Sequence, residues 1–227
     1  MPSVAVLVPC FKRPEYTEKC IKSLEDAQEY KDVTFFLVDD GSNDGTERIL
    51  NESNLNKILF IRYENQGLRS TIIHFFDTVK DSFDFIAKID NDCTVPKNWL
   101  KDMLDIFHKS DVDILSPNVV PSNAAYKYGS DGEHYRPSEF VGGLWMMKSK
   151  LIQDVFFEPI VANGIRGAFH LLNQIILEKE PVVGWAHKVD VQDIGHWSGK
   201  HPDHIKSKDH EEYSINVGRR VIWQPSE

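Results

Sequence analysis

Short, mainly apolar runs alternate along the first half of the chain with longer stretches whose apolar residues recur every three or four positions. Val4–Val8 is the first run, closed by Pro9, and predicts a strand buried on both faces. Pro14 then opens a helical stripe of Tyr16, Cys20, Ile21, Leu24 and Ala27, predicting a helix over 15–29. Val33–Val38 predicts a second strand, 44–53 a second helix, and Lys57–Arg62 a third strand. Gly67 precedes a helix running to Lys80, and Phe85–Ile89 is a fourth strand ending at Asp90. Pro96 opens a helix whose stripe is Trp99, Leu100, Met103, Leu104 and Phe107, and Val112–Leu115 is a fifth short strand.

This alternation predicts βαβ units, an α/β fold and a mainly parallel central sheet. Ligands of such sheets bind outside the carboxyl ends of the strands. The turn-rich segments after Val8, Val38, Arg62 and Ile89 all fall at that edge, so four loops far apart in sequence should line one crevice. Past Ser116 the pattern loosens. Residues 117–139 are rich in Pro, Ser, Asn, Gly and Tyr and predict a long loop. Phe140–Met147 carries Gly142-Gly143 inside an apolar run, 165–178 predicts a helix and Pro181–Val189 a strand. With no repeat and no linker, 1–227 is expected to be one domain, with a ligand-binding half at 1–115 and a smaller second region at 116–227.

Composition narrows the classes. The 227 residues are 41 % hydrophobic and carry a net charge of −9, so no broad basic field marks a nucleic-acid surface. A local basic groove can still form on an acidic chain. Three cysteines, Cys10, Cys20 and Cys93, make neither a disulfide framework nor a metal spacing and are expected to be reduced, buried thiols. The chain enters a strand directly after Met1-Pro2-Ser3 and has no apolar run of membrane-spanning length. A cytoplasmic location is expected on these grounds.

Two acidic clusters carry the candidate chemistry. Asp90-Asn91-Asp92 sits at a strand end, and two carboxylates one residue apart can converge on a hard divalent cation such as Mg²⁺ or Mn²⁺. By itself the tripeptide is also an ordinary acidic turn. Asp39-Asp40-Gly41-Ser42 follows the second strand, where an acidic residue can accept hydrogen bonds from a base or ribose. The loop after the first strand, Pro9-Cys10-Phe11-Lys12-Arg13-Pro14, contains neither the three glycines of a dinucleotide fingerprint nor a phosphate-cradling lysine loop.

Four segments in order resemble one family. Val4–Pro14, Leu37–Thr46 (containing Asp39-Asp40-Gly41-Ser42), Asn65-Gln66-Gly67-Leu68-Arg69 and Ile89-Asp90-Asn91-Asp92 are similar to the donor-binding loops of the family 2 glycosyltransferases of the GT-A fold. Val141-Gly142-Gly143 resembles their acceptor-side glycine pair, with Trp145 beside it. The resemblance implies a metal-dependent transferase moving a sugar from a UDP-linked donor to a hydroxyl. It implies that Phe11 packs on uracil, Asp40 bonds the base with Asp39 as its neighbour, and Arg69 approaches base or diphosphate. Pro9, Arg13, Gly67 and Asn91 belong to the same donor loops. Asp90 would lie near ribose and metal, Asp92 would ligate Mn²⁺ or Mg²⁺, and His196 is the C-terminal candidate for completing the sphere.

The family's usual acidic pair is absent from the matching segment, Asn163-Gly164-Ile165-Arg166-Gly167-Ala168. Asp131, Glu133, Glu158, Asp190 and Asp193 are the remaining candidates for a general base. Inverting and retaining chemistry both stay open. So do acceptors: a saccharide, a lipid-linked glycan, a protein side chain or a modified DNA base, the last disfavoured by net charge. The alternatives are a nucleotidyltransferase, which should show a glycine-rich basic loop after the first strand, and a nucleotide-sugar-binding module without turnover.

Overall fold

The computed structural model describes residues 1–27, 29–120, 134–137, 144–157 and 165–195, with side chains in the last stretch described from 170 onward. Its elements are β1 (Val4–Cys10), α1 (Pro14–Asp26), β2 (Val33–Asp40), α2 (Thr46–Glu52), β3 (Lys57–Arg62), α3 (Leu68–Val79), β4 (Phe85–Lys88) and β5 (Cys93–Thr94). These are followed by α4 (Trp99–Lys109), β6 (Ile114–Val120), β7 (Arg136–Pro137), β8 (Trp145–Lys148), α5 (Ile165–Lys179) and β9 (Val183–Asp193).

The strands form one sheet in the order β3-β2-β1-β4-β8-β6-β9-β5, with β7 paired to β9. The first four strands of that order are mutually parallel. Beyond them the sheet is mixed, because β8 runs antiparallel to both β4 and β6 while β6 and β9 are parallel. Two cores flank the sheet. Val4, Val6 and Val8 face one, with Cys20 and Leu24 of α1 and Met103 and Phe107 of α4. Ala5 and Leu7 face the other, with Ile72 and Phe76 of α3 and Leu171 and Ile175 of α5. Period-two alternation along a strand covered on both sides explains the unbroken apolar run of β1.

Element boundaries depart from the sequence expectation where tertiary pairing decides them. β6 runs on to Val120 through a segment expected to be loop, because β9 lies alongside it from Ile114↔Val183 to Val120↔Gln192. The register shifts between Pro117 and Asn118, where proline supplies no N–H to the ladder. The helix expected from Pro96 starts at Trp99, whose N–H donates to the Pro96 carbonyl at 3.1 Å. α1 stops at Asp26, and the Ala27 N–H turns back to the Leu24 carbonyl at 3.2 Å. Among the described residues no helix is long and apolar enough to cross a membrane.

Candidate active site at the strand ends

The loops after β1, β2, β3 and β4 meet at the carboxyl edge of the parallel strands and are tied to one another by named bonds. The first turns sharply: Lys12 and Arg13 both take left-handed backbone angles, φ 59° and 61°. Non-glycine residues adopt that conformation at a cost and hold it only when neighbours fix them. Here the Lys12 N–H donates to Ser42 Oγ at 2.8 Å, and Asn91 Nδ2 donates to the Lys12 carbonyl at 3.3 Å. The Tyr16 and Thr17 N–H groups, both at 3.1 Å, cap the Arg13 carbonyl. The turn leaves the Phe11 ring 41 % exposed at the mouth, with Lys12 Nζ 5.2 Å from its centroid.

The two aspartates after β2 have different duties. Asp39 accepts from the N–H and hydroxyl of Ser42 through Oδ1 alone, and its Oδ2 takes no partner among the described residues. Asp40 is spent on its own chain. Its Oδ1 accepts from Arg62 Nη1 (2.9 Å) and the Gln66 N–H (3.0 Å), and its Oδ2 from the Gly67 N–H (2.8 Å). Asp40, expected to bond the base, in this structure pins the third loop against the second. Two glycines permit that close approach. A Cβ on Gly41 would lie 2.8 Å from the backbone at Glu64 and Asn65, and Gly67 sits at φ 85°. Arg69, the second residue of α3, is buried and partnered rather than an exposed helix charge.

Asp90-Asn91-Asp92 follows β4 as expected, but each residue is held differently. Asn91 points inward and donates to Thr17 Oγ1 at 2.8 Å, so its amide ties the turn to α1 rather than facing a ligand. Asp92 Oδ2 accepts from Arg13 Nη1 at 2.6 Å, with the two side chains 13 % and 11 % exposed. Asp90 Oδ1 is paired with Lys88, whose side chain is 3 % exposed while that of Asp90 is 36 % exposed. Asp90 Oδ2 takes no partner among the described residues. Sequence reasoning missed Lys88, although a single lysine inside the apolar run Phe85–Ile89 was its visible signal. The end of β9 closes the turn from above: the Ile194 N–H donates to the Asp92 carbonyl at 2.9 Å, and a Cβ on Gly195 would lie 2.6 Å from Asp92 Cβ.

Beneath this turn lie three free, buried cysteines. Burial pushes all three thiols up. For Cys20 the charges of Asp92 and Asp90 add to it, and for Cys93 those of Asp90 and Asp92. They are neutral packing groups, neither nucleophiles nor ligands. Trp145 likewise belongs to the core. Its side chain is 2 % exposed and its ring lies 5.8 Å from that of Phe76, so it does not face an open acceptor side. Gly142, Gly143 and His196 lie outside the described residues, as do Asp131, Glu133 and Glu158. Of the other candidate bases, Asp190 accepts from Asn118 Nδ2, and Asp193 Oδ1 from the Gly195 N–H at 3.1 Å. Among the described residues no three His, Cys, Asp or Glu side chains converge on a metal position.

Four parallel strands, a reversed neighbour and an acidic turn after the fourth define an α/β fold of the GT-A glycosyltransferase type. Residues 5–179 match the family model described as Glycosyl transferase family 2, and the chain belongs to that family. Among curated relatives it is 28 % identical over 127 residues to Glycosyltransferase AglE of Haloferax volcanii, covering 52 % of this chain and 40 % of that protein. It is 25 % identical over 135 residues to Glycosyltransferase GlyG of Streptococcus pneumoniae, covering 58 % and 42 %. The chain thus spans less than half the length of these relatives. Among solved structures, the mannosyltransferase PcManGT from Pyrobaculum calidifontis in complex with GDP-Man and Mn²⁺ superposes with a TM-score of 0.68 at 16 % identity, covering 90 % of this chain and 60 % of that one. S. aureus TarS in complex with UDP-GlcNAc superposes with a TM-score of 0.66 at 15 % identity, covering 94 % and 64 %.

Proposed function

We propose that this chain is a glycosyltransferase that takes a sugar from a uridine-diphosphate donor, in the presence of a divalent cation, and passes it to a hydroxyl acceptor. The observation that carries the reading is the fixed convergence of four strand-end loops on one edge, with an acidic turn at their centre. Asp39, rather than Asp40, is the base reader in this proposal. A carboxylate oxygen without an internal partner can accept from a protonated ring nitrogen, N3–H of uracil or N1–H of guanine, whereas N3 of cytosine is itself an acceptor and only its exocyclic amino group donates. The exposed Phe11 ring offers a stacking face.

The donor set fits a hard cation. Two carboxylates one residue apart, with phosphate oxygens completing the shell, suit Mn²⁺ or Mg²⁺, which commonly keep few protein ligands. Asp92 and Asp90 would hold the ion, with His196 the C-terminal candidate by the family resemblance. The ion would offset charge on the departing diphosphate. The chain's own residues bind and orient: Asp39 fixes the base, Asp40 holds the loops together, and Lys88 holds Asp90.

Incubation with a panel of nucleotide-sugars and Mn²⁺ tests the reading. Transfer to an acceptor, or slow donor hydrolysis, is the expected result. Pyrophosphate release would instead indicate a nucleotidyltransferase, and binding without turnover a donor-binding module.

A further inference from the structure

Asp90 and Asp92 carry two negative charges at a turn that is mostly buried, and the chain neutralises both from within. Lys88 answers Asp90, and Arg13 answers Asp92 across 79 residues of sequence. The two cations differ in how firmly they are placed. Lys88 rises from a central strand whose backbone is paired on both sides by β1 and β8. Arg13 hangs from the loop at the mouth. Its contact with Asp92 uses Nη1, while Nη2 is buried with no hydrogen-bond partner among the described residues. A guanidinium can offer two parallel donors to a carboxylate or phosphate, and a buried donor left unpaired is unfavourable. The Arg13 fork is therefore only half used. Yet the chain maintains two successive left-handed residues, bonded to Ser42, Asn91 and Thr17, in the loop that carries it.

We infer that Arg13 is an exchangeable counter-ion: it occupies Asp92 in the donor-free protein and is released when a divalent cation takes that carboxylate, its fork then turning to the donor diphosphate. The inference rests on the reading of Asp92 as a metal ligand and adds a consequence that reading lacks. Arg13 and the cation compete for one carboxylate, so the cation alone binds weakly. Cation and nucleoside diphosphate together bind tightly, because the diphosphate gives the displaced guanidinium a new bidentate partner. Arg13 thereby acts as a positioning residue that couples cation binding to donor binding.

The test is Mn²⁺ binding to the full chain followed by the electron paramagnetic resonance signal of free Mn²⁺, without donor and then with UDP. Arg13→Gln should bind Mn²⁺ alone about tenfold more tightly than the unmodified chain, since a competing cation on a part-buried carboxylate has been removed. The same variant should bind UDP about tenfold more weakly at saturating Mn²⁺, having lost a charge-assisted fork. Arg13→Lys, which keeps the charge but not the fork, should leave Mn²⁺-only affinity near the unmodified value and weaken UDP binding. A merely structural role for Arg13 predicts loss of both affinities, and a gain in neither. Unchanged or weakened Mn²⁺-only binding in Arg13→Gln, with a native circular dichroism melt, overturns the inference. Undiminished Mn²⁺ binding in Asp92→Asn overturns the metal assignment beneath it, whatever the Arg13 variants do.

Discussion

At the scale of single residues, the neighbours Asp39 and Asp40 separate cleanly by what their oxygens already hold. Asp40 has three internal donors on two oxygens, whereas Asp39 has one oxygen engaged with Ser42. Two outcomes follow. Asp40→Asn turns an acceptor into a donor facing N–H groups and a guanidinium, and should cost about 3 kcal/mol in chemical denaturation, as for a broken buried pair. Asp39→Asn should leave the denaturation midpoint near that of the unmodified chain but weaken UDP binding about tenfold, and shrink its preference over CDP. Equal UDP affinity in Asp39→Asn places the base elsewhere. The doublet was legible in the sequence; which aspartate faces outward was not, because the donors to Asp40 come from Arg62, Gln66 and Gly67 in the next loop.

At the scale of elements, the acidic turn rests on a floor of thiols from β1, α1 and β5. Cys10, Cys20 and Cys93 are all raised, first by burial, so the folded state binds their protons more tightly than the unfolded chain. A group with a raised folded pKa contributes stability that is complete below the unfolded value. It loses that contribution as pH climbs from the ordinary thiol value of 9.0 toward the folded one. Unfolding midpoints should therefore fall as pH rises past 9.0, and substitution of Cys20 by Ala should flatten that fall. Titration with a thiol reagent at neutral pH should label none of the three in the native chain. Prompt native labelling would show an open floor. Apolar periodicity correctly predicted Cys20 inside the α1 stripe, but its position beneath Asp90 depends on the packing of α1 against β5, which no local pattern encodes.

At the scale of the whole molecule, the order of loops was readable because the parallel strands are largely apolar runs that stop at polar turns. Val8, Val38 and Ile89 all end that way. The second region was less legible for a physical reason. β8 and β9 are only partly apolar, and their directions follow from pairing with β4 and β6 rather than from any period of their own. β5 is two residues long, below what hydrophobic alternation can mark, yet it carries the Cys93↔Asp193 pairing that brings Gly195 onto Asp92. The edge that carries the acidic turn is thus completed by a strand from the far end of the described chain.

The central claim is that these converging loops form a cation-dependent nucleoside-diphosphate site at Asp92. Isothermal titration of UDP into the chain, with Mn²⁺ and then with a chelator, measures it most directly when repeated on Asp92→Asn. The account predicts binding in the presence of Mn²⁺, loss on chelation, and loss in Asp92→Asn with the thermal melt retained. UDP binding that persists unchanged in the chelator and in Asp92→Asn would contradict it.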